Sequence, residues 1–310
     1  FVDAGAFERR FLASVRPDAL RLPDPLVAAM RAVDGPWRYA STLEPTTTPA
    51  PPRIREHYAG IDLYGQWLMH AGCLAGLDSL QWGSYGLEAT NRFANDGMIF
   101  AQAFPRDRRR LDRLGVRWIL APPEAGLAPS AETLRIADDA VGFDALLPVA
   151  HTAELTLFEN PHALPRAQLL DHVLYVERGE DVWKRLAAAD FDPGRDVVLV
   201  GHDGPLARSV TPGAARADRS VEWLSRDDGD LRLRVSGDAP GFLVVAESDY
   251  PGWRAHLDGQ PVTIQRADGA LLGLFVPAGR HEIHLRYRPF WLGPTLAASA
   301  LAALIVVLGS

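Results

Sequence analysis

The chain has 310 residues, 47% hydrophobic and 23% charged, with a formal net charge of -7 at neutral pH. That length is enough for two domains with separate cores, and the acidic balance argues against general nucleic-acid binding, which needs a basic surface to displace counterions. Cys73 is the single cysteine, so an internal disulfide and a cysteine-based metal cluster are both excluded.

Taken in chain order, residues 1–40 read as helical. Phe7, Phe11 and Val15 recur about once per helical turn, and Pro25-Leu26-Val27-Ala28-Ala29-Met30 opens a second helix with Asp24 as its expected cap. Trp37-Arg38-Tyr39-Ala40 reads as a short strand. The prolines of Thr46-Thr47-Thr48-Pro49-Ala50-Pro51-Pro52 fix the backbone and remove donors, which predicts an exposed loop. Residues 61–104 are rich in Gly, Trp, Tyr and small side chains, with helical pieces near 84–95. Asp107 to Leu114 is a basic helix and Val116-Arg117-Trp118-Ile119-Leu120 a strand, an order that suggests an α/β unit.

The second half changes character. Leu155 to Phe158, Ala167 to Leu170 and Asp196 to Val200 read as strands, with a helix over Asp181 to Ala188. Leu231 to Val235 and Ile283 to Tyr287 alternate strictly between apolar and polar residues, as strands do with one face in a core and one in water. Between them Gly241 to Ala246, Trp253 to Leu257, Val262 to Arg266 and Leu271 to Val276 are further strands. Asp228-Gly229, Asp258-Gly259, Asp268-Gly269 and Ala278-Gly279 supply turns. The expected fold class is therefore α+β, a mixed α/β part followed by an antiparallel β-sandwich.

The chain ends in a run without charge from Pro289 to Ser310, bordered by Tyr287, Phe290 and Trp291. About 20 apolar residues cross a bilayer core, and aromatic residues settle at its surface, so the start of a transmembrane helix is expected here. The chain opens Phe1-Val2-Asp3, with neither an initiator Met nor the pattern of a secretory signal, and is expected to be a fragment of a larger membrane protein. The expected divisions are 1–53, a helical entry segment and Pro-rich loop; 54–165, a mixed α/β domain; 166–288, mainly antiparallel β; and 289–310, the membrane helix.

Several segments together resemble the YfhO family of bacterial multi-pass membrane proteins. They are Ser248-Asp249-Tyr250-Pro251-Gly252-Trp253-Arg254-Ala255-His256-Leu257-Asp258-Gly259, Val276 to Ile283, and Leu285-Arg286-Tyr287-Arg288-Pro289. Gly76-Leu77-Asp78-Ser79-Leu80 with Tyr85, Leu114 to Leu120, Phe158-Glu159-Asn160-Pro161 and Ala163-Leu164-Pro165-Arg166-Ala167 fit the same pattern, so the resemblance extends over about residues 60–310. It implies a polytopic protein of the cell membrane, similar to GT-C glycosyltransferases that move sugars from polyprenyl-phosphate carriers to cell-envelope glycopolymers. The present segment would be an extracytoplasmic domain whose partners are membrane lipid, the remaining membrane part of the same protein, the carrier-linked sugar and the glycan acceptor. The GT-C catalytic carboxylate sits in an early extracytoplasmic loop that this chain does not contain, so no catalytic residue is assigned. The other reading is a non-catalytic glycan-binding or assembly module of an envelope transporter. Arg286 and Arg288 lie on the domain side of the apolar run, against the usual excess of cations on the cytoplasmic side.

Candidate binding residues fall in three groups. Tyr250 and Trp253 offer aromatic faces for sugar stacking, or anchor a hairpin and its core. Asp78, Trp82, Tyr85 and Asn91 belong to the Gly-rich region, which lines either a ligand cleft or an interface with the rest of the protein. Arg106, Arg109 and Arg110 belong to a basic run that contacts lipid or carrier phosphate, or forms a solvated face with Asp107 and Asp112 as partners. The nine histidines are scattered; His281 and His284, three apart on a strand, point to opposite faces. No metal and no cofactor is expected, and neither a nucleophile elbow nor a phosphate-binding glycine loop is present.

Overall fold

The computed structural model describes residues 22–42, 75, 77–79, 107–122, 142–201, 219–227, 229–289 and 299. The chain divides into two compact units, residues 1–166 and 167–310. The predicted elements around Phe7, Thr46 to Pro52, 61–74 and 84–95 lie outside the described residues. So does the uncharged run, apart from Pro289 and Ser299. Among the described residues no helix is long and apolar enough to cross a membrane.

In the first unit, α1 (Asp24–Arg31) buries Leu26 and Met30, four residues apart and so on one face. Its cap is Pro23, not Asp24: the Pro23 carbonyl accepts from the Leu26 and Val27 amides, and Asp24 is the first helical residue. The carboxylate still sits at the positive end of the helix dipole, so the expectation erred by one position. The strands β1 (Arg38–Ser41), β2 (Asp78–Ser79), β3 (Val116–Ala121), β4 (Leu147–His151) and β5 (Thr156–Glu159) form a sheet in the order β2-β1-β3-β5-β4. β1 runs parallel to β2 and β3, while β5 is antiparallel to β3 and β4. The helix α2 (Arg108–Arg113) leads directly into β3, as its sequence order suggested. Leu26, Met30, Tyr39, Trp118, Leu120, Leu155 and Leu157 make one apolar cluster, and truncating such a residue to Ala costs about 2–5 kcal/mol.

The second unit is mostly β. Ala167–Leu170 (β6), Gly241–Ser248 (β11), Gln265–Ala267 (β14) and Leu271–Val276 (β15) form an antiparallel sheet in the order β14-β15-β11-β6. Arg219–Asp227 (β9), Asp230–Gly237 (β10), Trp253–Leu257 (β12), Gln260–Val262 (β13) and Gly279–Tyr287 (β16) form another, in the order β13-β12-β16-β10-β9. The alternation read from the sequence sorts correctly: Leu231, Leu233, Val235, Ile283 and Leu285 from one sheet join Leu243, Val245, Leu272 and Leu274 from the other in one buried cluster. Val262 to Arg266 is not one strand. β13 belongs to one sheet and β14 to the other, and the chain changes sheets at Thr263-Ile264, with Ile264 packed against the shared cluster.

A third element of this unit is β7 (His172–Val176), α3 (Gly179–Ala187) and β8 (Asp196–Val200), a parallel pair joined through a helix. Val182, Phe191 and Val198 form its own small core. Asp268, in the left-handed turn between β14 and β15, ties this pair down: its amide donates to the Val198 carbonyl at 2.8 Å and its carboxylate accepts from the Val198 amide at 2.8 Å. The Asp258-Gly259 turn joins β12 to β13 with positive φ at both residues, the geometry that an Asp-Gly pair at a two-residue hairpin predicts.

Candidate functional sites

In the first unit, the segments around Asp78, Val116 and Asn160 meet at one end of the mixed sheet. Asp78 lies on β2, in parallel register with Arg38 of β1. Its carboxylate accepts from Arg166, whose side chain is 4% exposed and also reaches the Pro36 carbonyl at 3.5 Å. Gly115 makes room for that guanidinium stem. It has φ +70, and a Cβ there would lie 2.5 Å from Arg166 Cγ.

Next to it lies a buried polar knot. Asn160, fully buried, donates from Nδ2 to Asp112 Oδ1 at 2.7 Å and to the Val116 carbonyl at 3.1 Å, and its amide donates to the Arg117 carbonyl at 2.7 Å. Arg108 donates to both oxygens of Asp112 at 3.0 and 2.8 Å. Burial pushes the Asp112 carboxyl above the usual value of 3.8, and hydrogen bonding from Asn160 and the charge of Arg108 offset part of that rise. Arg117 pairs with Glu159 across β3 and β5, and its guanidinium lies 4.9 Å from the Trp37 ring centre. The Asn160 and Arg108 bonds to Asp112 tie α2, the start of β3 and the end of β5 together, so the knot fixes the path of the chain at this end of the sheet.

The basic run is used differently from a solvated face. Arg109 folds back on Asp107, donating at 2.9 Å, and the Asp107 carboxylate also caps α2 by accepting the Arg109 amide at 3.0 Å. Asp112 and Arg113 are buried. Arg110 lies in the same helix with its guanidinium Nε buried. Arg106, Trp82, Tyr85 and Asn91 lie outside the described residues.

In the second unit, Tyr250 and Trp253 come together with Tyr287, which the sequence reading placed in a strand and at the border of the apolar run but not among the candidate binding residues. Trp253 and Tyr287 face each other in register across β12 and β16, ring centres 5.4 Å apart, and Tyr250 stands edge-on to Tyr287 at 6.4 Å. All three rings are half-buried, and Trp253 also packs against the shared apolar cluster. Burial, with a smaller contribution from Tyr250, raises the Tyr287 hydroxyl above its ordinary value of 10.0. Two turns hold the end of β16 in place. The Gly252 carbonyl accepts from the Arg288 amide at 2.8 Å, and the Gly229 carbonyl accepts from the Tyr287 amide at 2.7 Å. Gly252 has φ +125, and a Cβ there would meet the Arg288 carbonyl at 2.9 Å, so no other residue fits without displacement. Arg266 Nε steadies the approach to this turn by donating to Asp249 at 2.9 Å.

Among the described residues no three His, Cys, Asp or Glu side chains are gathered as a metal site. Residues 221–299 match the family model described as the bacterial membrane protein YfhO, a stretch that includes most of β9, all of β10 to β16 and the aromatic corner. The segments around Asp78, Val116 and Asn160 lie outside the matched stretch. No curated protein and no solved structure matches the chain.

Proposed function

From the match of residues 221–299 to the family model of the bacterial membrane protein YfhO, we propose that this is an extracytoplasmic part of a polytopic membrane protein resembling GT-C glycosyltransferases. In this reading the two antiparallel sheets form a sandwich that stands on the membrane at Pro289. Sugar transfer from a polyprenyl-phosphate carrier to an envelope glycopolymer takes place in the membrane-embedded part, and this chain recognises the glycan acceptor. The observation that carries the reading is the cluster of Tyr250, Trp253 and Tyr287 at the end of β16, three half-buried rings inside the family-matched stretch, with Tyr287 two residues from the start of the uncharged run. Partly exposed aromatic rings offer apolar faces to the C–H faces of a sugar while their polar edges stay wet.

The test is glycan binding by the full 310-residue chain against an array of cell-envelope glycopolymers, compared with Tyr250→Ala and Trp253→Phe. Loss of binding in both, with unchanged far-UV circular dichroism, supports acceptor recognition. Undiminished binding in both removes the corner from the site. Sugar transfer by this chain alone from a polyprenyl-phosphate donor would overturn the assignment of chemistry to the membrane part.

A second reading, structural support or assembly, is favoured by the two turn carbonyls that pin Tyr287 and Arg288. It predicts no glycan binding, and it predicts that Trp253→Phe lowers the melting temperature of the β-rich unit.

A further inference from the structure

We propose that the outer face of the β12–β16 ladder holds the phosphate of an anionic lipid headgroup, through Arg254, His256, His284 and Arg286. This rests on the reading above that β16 leaves the unit toward a membrane.

The arrangement follows from register. Arg254 stands directly opposite Arg286, and His256 directly opposite His284, in an antiparallel pair whose neighbouring residues Ala255, Ile283 and Leu285 are buried. Opposed residues share a face, so four basic side chains form a two-by-two block on the side away from the core. Like charges directly opposite each other destabilise a sheet, so a guanidinium pair in register calls for a counter-charge.

The protein supplies that charge to only half of the block. On the β10 side Asp230 accepts from His284 Nε2 at 2.8 Å and lies 3.6 Å from Arg286 Nε. On the β12 side Arg254 is exposed and has no ion-pair partner among the described residues, and Nδ1 of His256 is buried without a hydrogen-bond partner. Beyond them β13 brings only Pro261 opposite His256. Elsewhere on the same face Arg234 is fully provided for, held between Glu222 at 2.9 Å and Glu282 at 3.2 Å. The uncompensated pair is therefore local to β12.

Its position selects the ligand. Arg286 precedes Tyr287 by one residue and the uncharged run by three, and Arg288, also exposed, extends the basic column toward that run. Guanidiniums beside a bilayer surface recognise phosphate-bearing headgroups.

The test uses the full chain in a non-ionic detergent, titrated calorimetrically with dihexanoyl-phosphatidylglycerol, with dihexanoyl-phosphatidylcholine and inorganic phosphate as separate arms. Saturable binding of phosphatidylglycerol is expected. It should weaken at least about tenfold in Arg254→Gln/Arg286→Gln and be unchanged in Arg234→Gln. Relief of the like-charge pair should leave the double variant melting no lower than the parent. Absence of phosphatidylglycerol binding, insensitivity to the double variant, or equally tight binding of inorganic phosphate or of phosphatidylcholine would each overturn the lipid assignment. Flotation of the chain with neutral phosphatidylcholine vesicles reports the membrane reading separately. Flotation without phosphatidylglycerol binding sinks this site alone. Phosphatidylglycerol binding without flotation sustains the site and sinks the membrane reading.

Discussion

Asp78 and Arg166, 88 residues apart in the chain, form an ion pair in which the guanidinium is buried and the carboxylate is about one-third exposed. The two ends of the pair therefore respond differently to mutation. Arg166→Met removes the buried charge and leaves a carboxylate able to return to water, at a cost of about 1–3 kcal/mol. Asp78→Asn keeps the guanidinium buried with one counter-charge fewer, and should cost more. Urea midpoints of the two variants check the order; the opposite order would mean that Arg166 contributes mainly through its stem packed on Gly115.

Asn160 and Asp112 give a pH-dependent outcome. Because Asp112 is pushed above 3.8 in the folded chain, the folded state binds more protons than the unfolded one between 3.8 and that raised value. The contribution of this group to stability therefore falls as pH rises through that window. Asn160→Leu removes the donor that offsets part of the burial penalty. It should widen the window and cost a further ~1–3 kcal/mol for the acceptors left unpaired. Urea unfolding measured from below pH 3.8 to neutrality reads both effects; a pH profile identical to the parent's would show that Asn160 does not tune Asp112.

His281 and Asp258 are a second titrating pair, in which the histidine acts in the same sense as Asp112 and the carboxylate in the opposite one. His281 Nδ1 and Asp258 Oδ2 lie 2.7 Å apart, and Asp258 also accepts the Glu282 amide at 2.8 Å. The hydrogen bond to Asp258 raises His281 above 6.5, and the hydrogen bond from His281 lowers Asp258 below 3.8. Stability from the histidine is complete below 6.5 and is lost as pH rises through its raised value. Stability from the carboxylate is complete above 3.8 and is lost as pH falls through its lowered value. Melting temperature against pH should decline on the alkaline flank in the parent and flatten there in His281→Gln. A proton NMR titration of His281 with a midpoint at or below 6.5 would refute the pairing.

Gly252 and Gly259 separate backbone strain from crowding. Both have positive φ, but a Cβ at Gly252 meets the Arg288 carbonyl at 2.9 Å, whereas at Gly259 nothing lies within 4 Å. Gly259→Ala should cost about 1 kcal/mol from backbone conformation alone, and Gly252→Ala about 2–3 kcal/mol with a change in tryptophan fluorescence at the aromatic corner. Equal costs would mean that the end of β16 yields without resistance.

Alternation and turn chemistry made the β-rich half readable. Leu231 to Val235 and Ile283 to Tyr287 declare their buried face in every second residue, and Asp258-Gly259 declares its turn. Strands lacking that contrast were missed. Leu147-Pro148-Val149-Ala150-His151 carries a proline and a bulge at an exposed edge, and Arg219–Asp227 follows a stretch without a periodic signal. Val262 to Arg266 reads as continuous because a change of sheet leaves no mark in local composition. Of the candidate sites, Tyr250 and Trp253 were legible as a pair, but the partner ring of Tyr287 is set by strand register. Likewise Arg254, His256, His284 and Arg286 are unremarkable in sequence and become a block only when β12 and β16 align.

β16 is an inner strand, hydrogen-bonded to β10 along one side and β12 along the other, and its last residues are gripped by the carbonyls of Gly229 and Gly252. A pull applied at Pro289 along the strand would load both ladders at once, in shear, instead of peeling rungs one by one. The unit is thus built to transmit tension at that end with little extension, as a mechanical clamp does, and not to unravel from it.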